Sequence, residues 1–576
     1  MSVSVEQVFD SVAKRLVFSA FFDIVVKENQ KSELICIVAN LHAENLIDVL
    51  AEYQSLEQDI FGFEWFTIIE VFAGVLELID APVADIMFSI NRLGRAGGAD
   101  FHLLSSFEKY CLANPASLEE AFELAKNLYP ESNFLNVVLI AGSKIDFDEF
   151  QLKAINLIDA SEPRLRALAL QSLSRFGYEE DVIRAKLTLD AIDKGLIDCD
   201  EDFLSAALET IFSLAPMSQD VESKCLILVG RIFKCPSDLV ICTAAKLFMM
   251  GKLHTPESIV SILLEEFKTI SPTNREAIKF LDLGFEPFLI GGKARDILVL
   301  IEHLLEKNGA DLAVSDFEHF MWSLDEPQST ILRQQIVTRW LLSSKRKLCS
   351  SVGQIVSDGR GSNIGLSADL GLLDEIPPNA NLLLAMRACG WLFAYPVSAA
   401  SLMVSSLNTA SDAERAKIEE MLFNPLLISY GGSVGEYFRS KRDELSQESA
   451  IIIDRVLCRL NSYHEGLQSI SNVKELEAPL SQRQAYQRRF NRQMEESFKS
   501  AKKDSLMTAL MGRPSVILYG NSSINYVYHG PNGEKVRQEN PMHSFSTSVE
   551  YPSLGNLDSG GLEYMLRAFR VGAVRL

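Results

Sequence analysis

Residues 162–177 read EPRLRALALQSLSRFG, and their pattern indicates the class of fold to which the chain belongs. An acid followed by Pro163 suits the start of a helix, because proline at the first helical position has the required backbone angle and lacks only an amide that would be unpaired there. Four apolar residues then recur on one helical face, at Leu165, Leu168, Ala169 and Leu173. Gly177 closes the segment. The stretch therefore predicts an amphipathic helix with one buried face.

Similar helical segments recur along the chain at regular intervals. They begin at Pro130, Pro163, Asp200, Pro236 and Pro272, which are 33, 37, 36 and 36 residues apart. Second helical segments lie between them, as in 180–195 and 256–270. One helix pair of this length cannot bury its apolar face, whereas stacked pairs form a continuous core. The sequence therefore predicts a mainly α protein built as a solenoid.

One unit of this pattern carries a family resemblance. SEPRLRALALQSLSRFGYEEDVIRAKLTLDAI is similar to a HEAT repeat, with its acid-Pro-x-apolar-Arg opening, its alanines and leucines and its closing glycine. The best match covers residues 160–195, and the units at 200, 236 and 272 lack the arginine. The resemblance implies a superhelical α-solenoid that binds proteins and, less often, nucleic acids.

Charge is distributed unevenly along the chain. The first 480 residues carry 42 Lys and Arg against 69 Asp and Glu, whereas residues 481–576 carry 13 against 8. An acidic body repels phosphate backbones, which argues against nucleic-acid binding along it. A basic tail can dock on its own protein, on a partner or on nucleic acid. Nucleic acid is therefore expected only through the C-terminal basic segment.

Two segments of different character follow the predicted solenoid, which spans residues 1–480. Residues 481–513 predict a basic amphipathic helix that could cap the last repeat, enter a partner's groove or lie on a membrane. Residues 514–576 predict a small antiparallel β meander plus a C-terminal helix, which together form a small α+β module. The residues predicted to contact a partner lie in the basic helix, at Tyr486, Arg488, Arg489, Phe490 and Arg492.

The sequence also bears on the compartment. Its nine cysteines are scattered and never form a C-x-x-C pair. The opening MSVSVEQVFDSVAKRLV has charges where a secretory signal would need an apolar core. Both features predict a cytoplasmic protein. Residues 388–411 carry no charge over 24 residues, but Pro396 interrupts them, so we expect two buried helices that meet at the proline and no membrane span.

Local motifs for catalysis or cofactor binding are missing from the sequence. No histidine lies in an H-E-x-x-H pattern, and no P-loop, dinucleotide fingerprint or G-x-S-x-G elbow occurs. We therefore expect no cofactor, no metal and no enzymatic activity, although a site built from distant repeats would leave no local signature. The expected function is a scaffold or adaptor that binds another protein through the solenoid surface and the C-terminal module. The alternative is nucleic-acid association through the basic C-terminal segment.

Overall fold

The computed structural model divides the chain into two compact units. One contains residues 1–312 with 316–320, and the other contains residues 313–315 with 321–576. The boundaries at 480 and 513 that the sequence predicts stay predictions. The structure describes residues 31–54, 63–97, 100–130, 132–179, 181–197, 199–234, 237–251, 255–307, 312–357, 364–470, 479–482, 484–485, 487–489, 491–492, 518–519, 522–529, 534–541 and 550–572.

The described part of the first unit is α-helical and alternates between two layers. Its helices are α1 (Lys31–Ala43), α2 (Val49–Gln54), α3 (Phe63–Leu76), α4 (Val83–Gly97), α5 (Asp100–Ala113), α6 (Leu118–Leu128), α7 (Phe134–Ser143), α8 (Phe147–Ile158), α9 (Pro163–Leu173), α10 (Val182–Gly195), α11 (Glu201–Leu214), α12 (Gln219–Ile232), α13 (Asp238–Gly251), α14 (Glu257–Phe267), α15 (Arg275–Ile290) and α16 (Ala294–Glu306). Each odd-numbered helix packs on the next odd-numbered helix, from α1 to α15. The even-numbered helices form a second layer in the same way, and Lys153 pairs with Glu119 where α8 follows α6. We call these the odd layer and the even layer.

Most of the segment 162–177 forms α9 in the odd layer. Pro163 is its first residue, as predicted. All four residues of the predicted stripe are buried, but so are Ala167, Leu170 and Ser172, so α9 is buried on more than the one face that the sequence predicts. Helices are present at all five positions predicted from the spacing, and they are α7, α9, α11, α13 and α15. These five helices are neighbours in the odd layer, so the regular spacing of the sequence reappears as regular packing.

Charged side chains connect consecutive helices of the even layer. Lys153 pairs with Glu119, Arg184 with Asp148, Lys186 with Asp220, Lys224 with Asp190, and Lys293 with Glu257. The partners in these pairs are 34 or 36 residues apart in sequence. These separations are close to the 33–37-residue spacing of the helical segments, so similar ion pairs join several successive helix pairs. We call this set the ion-pair ladder.

The remaining helices belong mostly to the second unit. They are α17 (Glu318–Asp325), α18 (Thr330–Leu342), α19 (Arg346–Val356), α20 (Ala380–Trp391), α21 (Pro396–Leu407), α22 (Asp412–Met421), α23 (Ser433–Lys441), α24 (Gln447–Ser469), α25 (Ser553–Leu557) and α26 (Ser559–Val571). The uncharged stretch 388–411 forms the end of α20 and all of α21, which begins at Pro396. Among the described helices, none is long and apolar enough to cross a bilayer.

Three short strands precede the C-terminal helices. They are β1 (Leu518–Tyr519), β2 (Ser522–His529) and β3 (Glu534–Pro541), and they pair antiparallel in the order β1-β2-β3. In the longer pairing Ser522 lies opposite Pro541 and His529 opposite Glu534. The predicted α+β module at the C-terminus is not supported, because α26 packs against α20 in the helical part of the unit.

Candidate protein-docking groove

A continuous groove crosses α4, α5, α7 and the end of α9 in the first unit. Its larger part has a volume of about 610 Å³ and is lined by Phe101, Leu104, Ser105, Glu108, Asn133, Asn136, Val137, Ile140, Gln171 and Arg175. Its smaller part has a volume of about 390 Å³ and is lined by Ile90, Asn91, Gly94, Leu104, Leu128, Tyr129, Pro130, Ser132, Asn133 and Phe134. Because Leu104 and Asn133 line both parts, the two form one feature, which we call the docking groove.

Phe101 is the most exposed aromatic side chain of the docking groove. Helix α5 turns Leu103, Phe107 and Tyr110 into the core at helical spacing, and all three are buried. Phe101 is out of phase with them and stays 80% exposed. A solvent-exposed phenylalanine at the edge of a groove can pack against an apolar side chain of a binding partner.

A second apolar contact lies in the smaller part of the groove. Leu128, the last residue of α6, is 65% exposed. Tyr129 follows it, and its ring lies 5.4 Å from that of Phe134, edge to face. Burial raises the pKa of the Tyr129 phenol, so it remains a neutral hydroxyl at physiological pH. The groove therefore has an apolar contact in each of its two parts.

The two charged residues that line the groove, Glu108 and Arg175, differ in whether a hydrogen-bond partner neutralises them. The Glu108 carboxylate accepts a hydrogen bond from Lys144 Nζ at 2.6 Å, which neutralises that charge locally. Arg175 is exposed, and its guanidinium makes no hydrogen bond with the described residues. Burial raises the pKa of nearby Glu209, although the positive charges of Lys246 and Arg175 act to lower it. Arg175 is thus an available cation at the α9 end of the groove.

Amide side chains lie between these apolar and charged groups. Asn91, Asn133 and Gln171 line the groove from three different segments of the chain. An amide side chain both donates and accepts hydrogen bonds, which matches the main chain of an extended peptide. Asn133 Oδ1 also accepts from Arg164 at 3.4 Å, a long bond that leaves its amide nitrogen free to act as a donor.

The partner-binding residues predicted from the sequence lie elsewhere. Arg488, Arg489 and Arg492 are exposed and lie in short helical segments of the second unit. Tyr486 and Phe490 lie outside the described residues. The role of these five residues as partner contacts stays a prediction.

Sequence reasoning missed the docking groove. Phe101 lies in DFHLLSSFEKYCLA, which reads as an ordinary amphipathic helix. The one local signal is that Phe101 falls outside the phase of the buried residues 103, 107 and 110. The groove itself is assembled from α4, α5, α7 and α9, and no short window of sequence contains them all.

The described residues contain no group of three or more His, Cys, Asp or Glu side chains placed to hold a metal ion.

No protein family matches the sequence, and no curated protein is significantly similar to it. The fold is mainly α, with helices stacked in two layers in the first unit and an open groove across four of them.

Proposed function

We propose that this protein is a non-enzymatic scaffold or adaptor, built as an α-solenoid of HEAT-like helix pairs, that binds a segment of another protein. The two helical layers and the ion pairs between consecutive helices of the even layer support the solenoid. The docking groove carries the functional proposal, because it exposes Phe101 in a cleft of about 610 Å³. Clefts of a few hundred Å³ with apolar contacts and a few polar groups are typical binding sites.

The bound segment is an extended peptide with an apolar side chain near Phe101 and a carboxylate near Arg175. Covering an exposed phenylalanine contributes about 1.5–3 kcal/mol to binding. A carboxylate on the guanidinium of Arg175 adds a charge-assisted hydrogen bond and sets the direction of the peptide. The amides of Asn91 and Gln171 suit its main chain. A second apolar side chain fits near Leu128.

A cytoplasmic location is part of the proposal. Among the described cysteines all are free thiols, and Cys111, Cys225 and Cys389 are buried. Burial raises the pKa of each of these three thiols to about 12, so they are protonated and unreactive at neutral pH. Free thiols that are buried and protonated are typical of proteins in a reducing compartment, which supports a cytoplasmic location.

The test is a selection of displayed random peptides on the full-length protein, followed by affinity measurements by fluorescence polarisation. We expect the selected peptides to share an apolar residue and an acidic residue. Phe101→Asp should weaken their binding at least about tenfold, which corresponds to about 1.4 kcal/mol. The matched control is Ile183→Asp, since Ile183 is 81% exposed on α10 of the even layer. This control should leave the affinity unchanged.

Two results would contradict the proposal. One is equal binding of the selected peptides to Phe101→Asp and to Ile183→Asp. The other is that the protein selects no peptide but binds nucleic acid in a salt-dependent way through its basic C-terminal segment. Phosphate contacts lose affinity steeply with ionic strength, whereas an apolar contact at Phe101 does not.

A further inference from the structure

Residues 550–572 lie across the helices of the second unit, and we call them the C-terminal arm. At its start, the Glu550 carboxylate accepts hydrogen bonds from the backbone N–H groups of Gly432 and Ser433, at 2.7 and 2.8 Å. Ser433 is the first residue of α23, so Glu550 lies at the positive end of that helix. The arm is therefore fixed at one end by a carboxylate on backbone amides.

The other end of the arm is held on α20. Arg570 Nε donates a hydrogen bond to the Gly390 carbonyl oxygen at 2.6 Å, and the guanidinium lies 5.1 Å from the centre of the Trp391 ring. A Cβ atom on Gly390 would lie 3.1 Å from the backbone nitrogen of Arg570 and 3.2 Å from Cβ of Phe569. Glycine at 390 thus lets the main chain of α26 approach α20 closely.

The contact between the arm and its surface is shallow. In α26 only Leu562 is buried among the described residues, whereas Tyr564 is 78% and Val571 81% exposed. Segments with few buried apolar contacts open locally at low free-energy cost. We therefore expect the arm to detach at a lower free-energy cost than the buried helices of this unit.

Some buried polar groups at the surface beneath the arm have no hydrogen-bond partner among the described residues, and the side chain of Trp391 carries one of them. The indole N–H of Trp391 is buried and has no hydrogen-bond acceptor among the described residues. Arg570, which lies over this ring, supplies only donors. A buried donor without a partner is unfavourable, so a segment that placed an acceptor here would fit this surface better than the arm does.

We propose that the surface beneath the arm is a second docking site, for an amphipathic helix of a partner protein, and that the arm occupies it as an internal competitor. The site consists of Gly390 and Trp391 of α20 with the backbone amides of Gly432 and Ser433. The partner helix has an apolar face for α20 and an acceptor for the Trp391 indole, and a carboxylate precedes it.

This arrangement sets a threshold for the partner. About 80 residues separate the end of α24 from Glu550. Because the arm belongs to the same chain as the surface, it competes at an effective local concentration, and a partner helix must have a high enough affinity or concentration to displace it. The inference depends on the arm and its surface alone, and it stands even if the docking groove of the first unit binds nothing.

The test measures binding of a fluorescein-labelled peptide of residues 550–572 to full-length protein. In one variant, Leu562→Asp with Phe569→Asp displaces the arm. We expect this variant to bind the peptide on the order of tenfold or more tighter than the wild type, because the wild-type surface is already occupied. A peptide with Glu550→Gln should bind more weakly than the natural one, since it loses the charge on the amides of Gly432 and Ser433.

Two further variants locate the binding. Gly390→Leu, added to the arm-displaced variant, should abolish peptide binding because its side chain occupies the approach to Arg570. Gly466→Leu is the matched control, since a Cβ at Gly466 of α24 meets nothing within 4 Å. If the arm-displaced variant does not fold, Arg570→Ala replaces it, with the same expected order of affinities. Equal binding to wild type and displaced variant, or binding to neither, would overturn the proposal.

Discussion

The guanidinium of Arg166 donates a hydrogen bond to the main-chain carbonyl of Gly195, with 3.1 Å between the two atoms. The same guanidinium donates to the carbonyl of Ile158 at 3.0 Å and lies 4.5 Å from the centre of the Phe203 ring. Ile158 and Gly195 are the last residues of α8 and α10. One side chain of the odd layer therefore satisfies carbonyl groups at the ends of two consecutive even-layer helices, where a positive charge is also favourable.

We expect Arg166→Met to destabilise this part of the first unit by about 2–3 kcal/mol, because hydrogen bonds to a charged group are worth about 1.5–3 kcal/mol. Native-state hydrogen exchange of the α8 and α10 amides measures the local free energy of opening. Arg164→Met is the matched control. Among the described residues Arg164 makes only an exposed 3.4 Å side-chain contact, with Asn133, so its loss should cost less than about 0.5 kcal/mol. Equal effects of the two substitutions would contradict the bridging role.

A buried carboxylate caps a distant helix. Asp282 is 3% exposed, and its two oxygens accept hydrogen bonds from the backbone N–H groups of His319 and Phe320, both at 2.8 Å. These residues lie in the first turn of α17. We expect Asp282→Asn to destabilise the fold by about 1–3 kcal/mol, because an amide cannot accept with both of its polar atoms. Chemical denaturation at neutral pH measures this loss, and an unchanged midpoint would be the contrary result.

The same residue gives a pH dependence of known sign. Burial raises the pKa of Asp282, although the two backbone hydrogen bonds act to lower it. Between the ordinary aspartate pKa and this raised value the folded protein holds more protons than the unfolded chain, so the free energy of unfolding decreases as pH rises. The amide that replaces this carboxyl group in Asp282→Asn does not titrate. The stability advantage of the wild type over Asp282→Asn should therefore be greatest at acidic pH and shrink as pH rises through this window. Unfolding of both proteins across that range tests it, and a widening gap would contradict it.

Two helical glycines should respond oppositely to alanine. A Cβ on Gly142 of α7 would overlap the ring of Phe150, which is buried, whereas a Cβ on Gly230 of α12 meets nothing within 4 Å. Gly142→Ala should destabilise by about 1–3 kcal/mol through overpacking. Gly230→Ala should stabilise by about 0.5–1 kcal/mol, because alanine favours helix over glycine. Thermal unfolding of the two variants separates the effects, and the same sign for both would be inconsistent with the packing at Phe150.

The ion-pair ladder should add little stability at any one step. Arg184 Nε lies 2.8 Å from Asp148 Oδ1, but the Asp148 side chain is 73% exposed. Exposed pairs contribute about 0–1 kcal/mol and are screened by salt. We expect Asp148→Asn to cost less than about 1 kcal/mol at low ionic strength. In concentrated NaCl the difference from the wild type should disappear. A loss that persists in salt would show that Asp148 acts through something other than charge.

Regular spacing is what made the helices predictable from sequence. Pro163 and the apolar stripe of α9 identify one helix, and equal intervals identify its neighbours in the odd layer. The position of α21 also followed from one residue, Pro396, because proline suits the first turn of a helix and interrupts a longer one. These features are local, so a short window of sequence contains them.

The contacts that define the sites were not predictable in this way. Glu550 meets Gly432 across 118 residues, and Arg570 meets Gly390 across 180. The sequence near Arg570 does not indicate that its guanidinium contacts Gly390 and Trp391. The predicted C-terminal α+β module is not supported for the same reason, since the alternating pattern of the strands gives no information about the packing of the last helix on α20.

The ion-pair ladder and the two layers also bear on the order in which the chain acquires its structure. Each step of the ladder joins residues only 34 or 36 positions apart, so the first unit can grow one helix pair at a time as the chain leaves the ribosome. The arm has no such partner nearby. It reaches Gly390 only after the whole chain up to Arg570 has been made, and until then the ring of Trp391 lacks its cover. In a nascent chain this patch therefore lacks its cover for as long as the last third of the protein takes to be synthesised, which leaves it accessible to chaperones that recognise apolar surface.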